Sequence, residues 1–197
     1  MHFIVPIVIC YFLGSITFSF IVGRLINGVD VRKYGSGNAG ATNTLRVLGP
    51  VPAFLVFMLD MAKGIAAVWI GRWMGPDEIW IAILCGLSAI AGHNWPVFFN
   101  FKGGKGIATT IGVLFSLCFL PAIYAGAVGL LIIAYTRYVS FGSLVFVTIL
   151  PLFLLFLDVQ IEIFWASLII LVFAYIRHKS NIVKLIHGTE NKIGIKH

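Results

Sequence analysis

Six long apolar stretches, residues 3–23, 52–69, 79–91, 107–135, 139–157 and 161–176, occupy most of the 197-residue chain. A bilayer core of roughly 30 Å is crossed by about 20 apolar residues in helical form. Hydrophobic residues make up 60% of the sequence and charged residues 11%. An ordinary soluble domain has about 45–50% and about 25%. A chain this apolar cannot present a soluble surface, so the sequence predicts an all-α, polytopic membrane protein. The N-terminus lacks a basic leader and a small-x-small cleavage site, and reads as a retained first span.

Charge sets the expected topology. Arg24, Arg32, Lys33 and Arg46 surround the first loop, and Lys102 and Lys105 lie in the loop after the third span. Arg137 sits in the link "YTRY", and Arg177, Lys179, Lys184, Lys192 and Lys196 make the tail. Arg72 stands apart, and Lys63 lies inside a span. Asp77, Glu78, Asp158 and Glu162 fall on the other side. Placing the basic loops together in the cytoplasm satisfies the positive-inside pattern. It requires residues 107–135 to cross twice, turning near Pro121, as two shortened helices of about 14 residues each. The expectation is seven transmembrane helices, two of them short, with the N-terminus outside and the C-terminus cytoplasmic. The net charge of +7 is then a membrane-topology signal and not a nucleic-acid one.

Residues 1–197 read as one membrane domain. The segments outside the spans, 27–51, 92–106 and the tail from Arg177, are too short for cores of their own. Function must sit where these loops meet the membrane. Cys10, Cys85 and Cys118 have no metal-ligand spacing and read as small core residues. No metal site and no cofactor are expected, and the sequence is silent on oligomeric state.

The first loop, "KYGSGNAGATNTLRVLG", contains a G-x-G-x-x-G match from Gly35 to Gly40. A dinucleotide fingerprint needs a strand before it, and here an apolar span and a polar link precede it. The glycines still permit close backbone approach, and a nest of N–H groups can face one anion. Ser36, Asn38, Thr42 and Asn43 add neutral donors, and Arg46 a bidentate one. The bland alternative is a polar turn capping the second span.

The second motif, "GHNWPVFFNFKGGKGIATT", is not a Walker loop, because Gly106 and not Ser or Thr follows Lys105. It does place Gly103, Gly104 and Lys105 just before an apolar helix, whose first N–H groups and dipole favour an anion. Lys105 is the expected phosphate ligand. Lys102 reads as an interfacial charge. Trp95, Phe98, Phe99 and Phe101 form either an interfacial aromatic belt or a wall for an acyl chain. In the tail, His178 and Asn181 share a helical face below the last span, and His187 and Glu190 are again three apart. Within the second span, Asp60 and Lys63 are spaced to neutralise each other, as support for a site more than as catalysts.

Together, "GSGNAGATNTLR", "DMAKG", "HNWPVFFNFKGGKGIATT" and "RHKSNIVKLIHGTENKIG" resemble, in order and over essentially the whole chain, the bacterial acyl-phosphate-dependent glycerol-3-phosphate acyltransferases, the PlsY family. That resemblance implies transfer of an acyl group from acyl-phosphate to the 1-hydroxyl of glycerol-3-phosphate, at the inner face of a bacterial plasma membrane. It implies that Ser36, Arg46, Lys105, His178 and Asn181 hold glycerol-3-phosphate. Gly37, Asn38, Gly40, Thr42, Asn43, Gly103 and Gly104 would line the acyl-phosphate head. Asp60, Lys63, His93 and Glu190 would support the site. No side chain is assigned as a base, and Lys105 and Arg46 would stabilise developing negative charge. The His-x-x-x-x-Asp dyad of other glycerolipid acyltransferases is absent, since the fifth residues after His2, His93, His178 and His187 are Ile7, Phe98, Val183 and Lys192. The expected partners are the two phosphorylated substrates and the bilayer, and no nucleic acid. Two rival readings are a transporter of a phosphorylated metabolite and a scaffold that binds anionic lipid. The catalytic expectation requires the segments around Ser36, Lys105 and His178 to meet beneath one leaflet.

Overall fold

The structure, a computed structural model, describes residues 3–157 and 159–194. The readings placed on His2, Asp158 and Lys196 lie outside the described residues. Those residues form ten α-helices and two single 3₁₀ turns, with no strand among them. The helices are α1 (Ile4–Ser15), α2 (Phe18–Asn27), α3 (Ala41–Leu48), α4 (Pro50–Met74), α5 (Ile79–Asn94), α6 (Ile107–Leu117), α7 (Phe119–Thr136), α8 (Val139–Phe156), α9 (Ile161–Arg177) and α10 (Lys179–Ile186). Ile4–Asn27, Pro50–Met74, Ile79–Phe99, Phe119–Thr136 and Val139–Phe156 are long and apolar enough to cross a membrane. The α9–α10 pair, bent by 65°, makes a sixth if counted as one span, and α6 is a shorter apolar helix.

One boundary and one pair of helix lengths differ from the sequence reading. The first apolar stretch is not one helix but two, broken at Ile16 and Thr17. Short hydroxyl side chains compete for backbone carbonyls there: Ser15 Oγ donates to Tyr11 O at 2.9 Å and Thr17 Oγ1 to Ser15 O at 3.4 Å. The 107–135 stretch does divide into two helices, with the break at Cys118, just ahead of Pro121. Pro121 falls in the first turn of α7, where a missing N–H removes no intrahelical bond. The two pieces are therefore unequal, 11 and 18 residues.

The chain forms two compact units, divided between Leu117 and Cys118. In the first, α1 and α4 pack against α5, and α6 packs against α4. Glycine makes these contacts close. A side chain on Gly64 or Gly112 would run into the backbone of Thr109 or Met61 across the α4–α6 seam. Small residues let apolar helices meet backbone to backbone where lipid offers no hydrophobic drive for association. Arg72, apart from the other cations in sequence, donates to Ser116 O at 2.9 Å. That carbonyl belongs to the last turn of α6, which lacks intrahelical donors. In the second unit α7 packs on α8, α8 on α9, and α10 touches both α8 and α9. Val51, Phe54, Leu130, Leu131 and Phe156 stay uncovered, as lipid-facing side chains do.

Candidate active site

The first loop is built around a 3₁₀ turn, Val31–Lys33. Asp30 caps it by accepting from the Arg32 N–H, and takes two further bonds from the Arg32 guanidinium, at 2.9 and 2.8 Å. Those side-chain bonds hold the Asp30 carboxyl below the usual carboxylate range, against the opposing effect of burial. Arg32 in turn lies over both the Phe20 and Phe99 rings, 5.0 and 4.9 Å from their centroids, and those rings pack against each other at 5.0 Å. Phe99 is thus committed to a cation–π stack, whereas Phe98 and Phe101 are exposed.

Asn43 organises the rest of the loop. It is fully buried. Its Oδ1 accepts from Ser36 N at 2.8 Å and Ser36 Oγ at 3.1 Å. Its Nδ2 donates to Val31 O at 2.8 Å and Tyr34 O at 3.1 Å. These four bonds are the full capacity of a side-chain amide. Asn43 therefore acts within the loop, fixing Ser36, which is itself exposed. Gly37 turns through φ +70°, which only glycine adopts freely. Asn38, Gly40 and Thr42 are partly exposed around it, and Arg46 is exposed on α3.

The second loop leaves α5 through a 3₁₀ turn, Val97–Phe99. Gly103 and Gly104 are buried, and Lys105 is partly so, two residues before α6. Gly104 N donates to His93 O at 3.0 Å. A side chain on Gly104 would run into His93 Nε2 and the Ala39 carbonyl oxygen. The two glycine loops therefore touch, Ala39 against Gly104, and bring the Ser36–Arg46 segment beside Lys105 and the N-terminus of α6. The sequence motifs were legible separately, but their contact was not, because Gly104 and Ala39 are distant in the chain.

Beneath these loops, Lys63 Nζ lies 2.7 Å from Asp60 Oδ1. It is also 2.8 Å from Ile16 O and 2.9 Å from His93 Nδ1. All three side chains are buried. The helix break at Ile16 thus presents a carbonyl to a buried ammonium.

In the second unit, His178 is the junction between α9 and α10 and is 2% exposed. Its Nδ1 lies 2.8 Å from Ala174 O. A carbonyl only accepts, so Nδ1 carries a proton. Asn181 Nδ2 donates to Glu190 Oε1 at 2.7 Å, and Ser140 Oγ donates to the same oxygen at 3.0 Å. Glu190 so ties the tail to α8 and α10. Ser140 carries no motif in the sequence, and only the fold brings it to Glu190. His187 turns back to Val183 O at 2.8 Å beyond the end of α10, so it does not extend the His178–Asn181 face.

The sequence profile of the family described as glycerol-3-phosphate acyltransferase matches residues 4–188. The chain belongs to that family. A glycerol-3-phosphate acyltransferase of Halalkalibacterium halodurans is 49% identical over 191 residues, covering 94% of this chain and 93% of that protein. One from Clostridioides difficile is 39% identical, covering 98% and 97%. A crystal structure of PlsY, an integral membrane glycerol 3-phosphate acyltransferase in its glycerol 3-phosphate form, superposes with a TM-score of 0.91 at 38% identity, over 98% of this chain and 96% of that one. A second PlsY structure, in the lysophosphatidic acid form, gives 0.90 at 37%. As a family member the chain is an integral membrane acyltransferase.

Proposed function

We propose that the chain transfers a fatty acyl group from acyl-phosphate to the 1-hydroxyl of glycerol-3-phosphate, in one step. The hydroxyl oxygen attacks the acyl carbon, the bond from that carbon to the phosphate oxygen breaks, and the hydroxyl proton passes to phosphate. The products are lysophosphatidic acid and inorganic phosphate, which feed phospholipid synthesis. The observation that carries this reading is the contact between the two glycine loops. It sets the Ala39 backbone of the first loop against Gly104, next to Lys105 and the α6 N-terminus, which supports a shared site for two phosphate-bearing substrates built from Ser36, Arg46 and Lys105. Two solved structures support the acceptor and the product: PlsY in its glycerol 3-phosphate and lysophosphatidic acid forms.

In this reading Ser36, Arg46, Lys105, His178 and Asn181 bind glycerol-3-phosphate. Gly37, Asn38, Gly40, Thr42, Gly103 and Gly104 line the acyl-phosphate head, and Asn43 fixes Ser36 for its task. The mixed anhydride is a reactive donor, so positioning and oxyanion stabilisation suffice without a protein base. Positioning alone contributes up to about 7–11 kcal/mol in the best intramolecular cases. Seven crossings of a bacterial plasma membrane, with the loops at the cytoplasmic face, let the acyl chain lie in lipid while both phosphates meet cations. The whole chain acts as one catalytic domain.

The test is purified protein in detergent with palmitoyl-phosphate and glycerol-3-phosphate, without metal or coenzyme A, scored by phosphate release. No release, or a covalent acyl adduct on Ser36, refutes direct transfer. His178→Gln is expected to raise KM for glycerol-3-phosphate more than it lowers kcat, whereas collapse of kcat at constant KM assigns His178 as general base.

A further inference from the structure

We propose that His93, fixed as the Nε2–H tautomer by Lys63, is a positioning residue that sets the spacing of the two glycine loops. The assignment begins with hydrogen counting. A lysine ammonium has three hydrogens and no lone pair. Lys63 Nζ has three acceptors around it, Asp60 Oδ1 at 2.7 Å, Ile16 O at 2.8 Å and His93 Nδ1 at 2.9 Å. The Asp60 oxygen is farther from His93 Nδ1, at 3.4 Å, so the ring nitrogen faces the ammonium first. A nitrogen that receives from an ammonium presents its lone pair, which leaves the ring proton on Nε2.

That N–H edge sits at the meeting point of the loops. His93 Nε2 and the Ala39 carbonyl oxygen both border the spot that a side chain on Gly104 would fill. The Ala39 oxygen is an acceptor from the first loop. The His93 carbonyl also takes the Gly104 N–H of the second loop, at 3.0 Å. One residue therefore grips the second loop by its backbone and faces the first with a donor. His93 is 5% exposed and lies behind the loops. Its part is to hold the phosphate-binding groups in register, as an outer partner orients the groups that do touch a ligand. The inference rests on the acyltransferase reading for the consequence, but the tautomer stands independently of it.

Two measurements test it. With 15N-histidine in the full-length protein in detergent, the His93 resonances, assigned by their loss in His93→Gln, are expected to show a protonated Nε2 and an unprotonated Nδ1. A protonated Nδ1, whether in the other tautomer or in the imidazolium, overturns the proposal. For the second, the amide of His93→Gln reaches close to the Nε2 position, and that of His93→Asn only to the Nδ1 position. The Gln variant should keep kcat/KM within about tenfold of the parent. The Asn variant should lose roughly 100-fold, chiefly through KM for glycerol-3-phosphate, as expected for a misplacement of about 1 Å. The Gln variant gives up the Lys63 contact at the Nδ1 position, which Asn can keep, and should be the one that melts at lower temperature. Equal kinetic losses in the two, or losses in step with their melting temperatures, overturn the positioning role. If the unmodified protein releases no phosphate from palmitoyl-phosphate, the acyl-donor reading fails and the tautomer signature decides this inference alone.

Discussion

In the proposed reading, single side chains divide between those that meet substrate and those that shape what does. Asn43 shows the difference. Its neighbours in the motif are polar and accessible, and its residue type fits a ligand equally well. Its four bonds to Ser36, Val31 and Tyr34 instead make it the internal brace of the loop. Replacing Asn43 by Asp keeps the acceptor for Ser36 but turns an oxygen toward two backbone carbonyls. Replacing it by Ala takes the acceptor away from the Ser36 N–H, while Val31 O and Tyr34 O keep the bonds from Tyr34 N and Gly37 N. A buried polar group without its partner costs about 1–3 kcal/mol. Both variants should therefore lower the melting temperature, Asp more than Ala, because it adds a buried charge. Differential scanning measurements in detergent check the order. Lys105→Ala should behave oppositely, with little change in melting. It should lose roughly 10²–10³ in kcat/KM, the scale for removing one preorganised oxyanion donor, read in the phosphate-release assay.

At the scale of elements, hydropathy found the apolar helices because lipid demands length and greasiness, and both are local properties. It misjudged where the first of them stops. The break at Ile16 and Thr17 is invisible to an apolar count, since Phe18 and Phe20 continue the run beyond it. Pro121 drew the predicted turn, and the chain breaks just ahead of it, at Cys118, since proline is a comfortable first-turn residue. The two glycine loops could be located in the sequence because runs of glycine, lysine and asparagine interrupt an otherwise apolar chain. Their support could not, since Lys63–His93 and Ala39–Gly104 join residues far apart in sequence. Helix seams give a sharp prediction. Gly112→Leu would drive a side chain into the Met61 backbone and force α6 off α4, whereas a side chain on Gly126 meets nothing within 4 Å. Overpacking typically costs about 1–3 kcal/mol. Gly126→Ala should instead stabilise by up to about 1 kcal/mol through helix propensity. Paired thermal melts separate the two.

For the whole molecule, the membrane topology is open to direct measurement. Single cysteines at Lys33, Lys102 and Lys184, in a background lacking the three native ones, should react with an impermeant maleimide only after inside-out vesicles are prepared. A cysteine at Asp77 should react in intact cells. Labelling of Lys33 or Lys102 from outside would remove the cytoplasmic site and with it the proposed access to acyl-phosphate. The same experiment tests the crossing by α6, the shortest apolar helix of the seven segments. The acceptors around Lys63 bear on assembly as well. One comes from the break between α1 and α2, one from α4 and one from α5. A nascent chain halted before His93, or a split version expressed as fragments divided between α4 and α5, holds that lysine in hydrocarbon one acceptor short. Biogenesis of the first unit is therefore not complete, in energetic terms, until the fifth helix has been inserted.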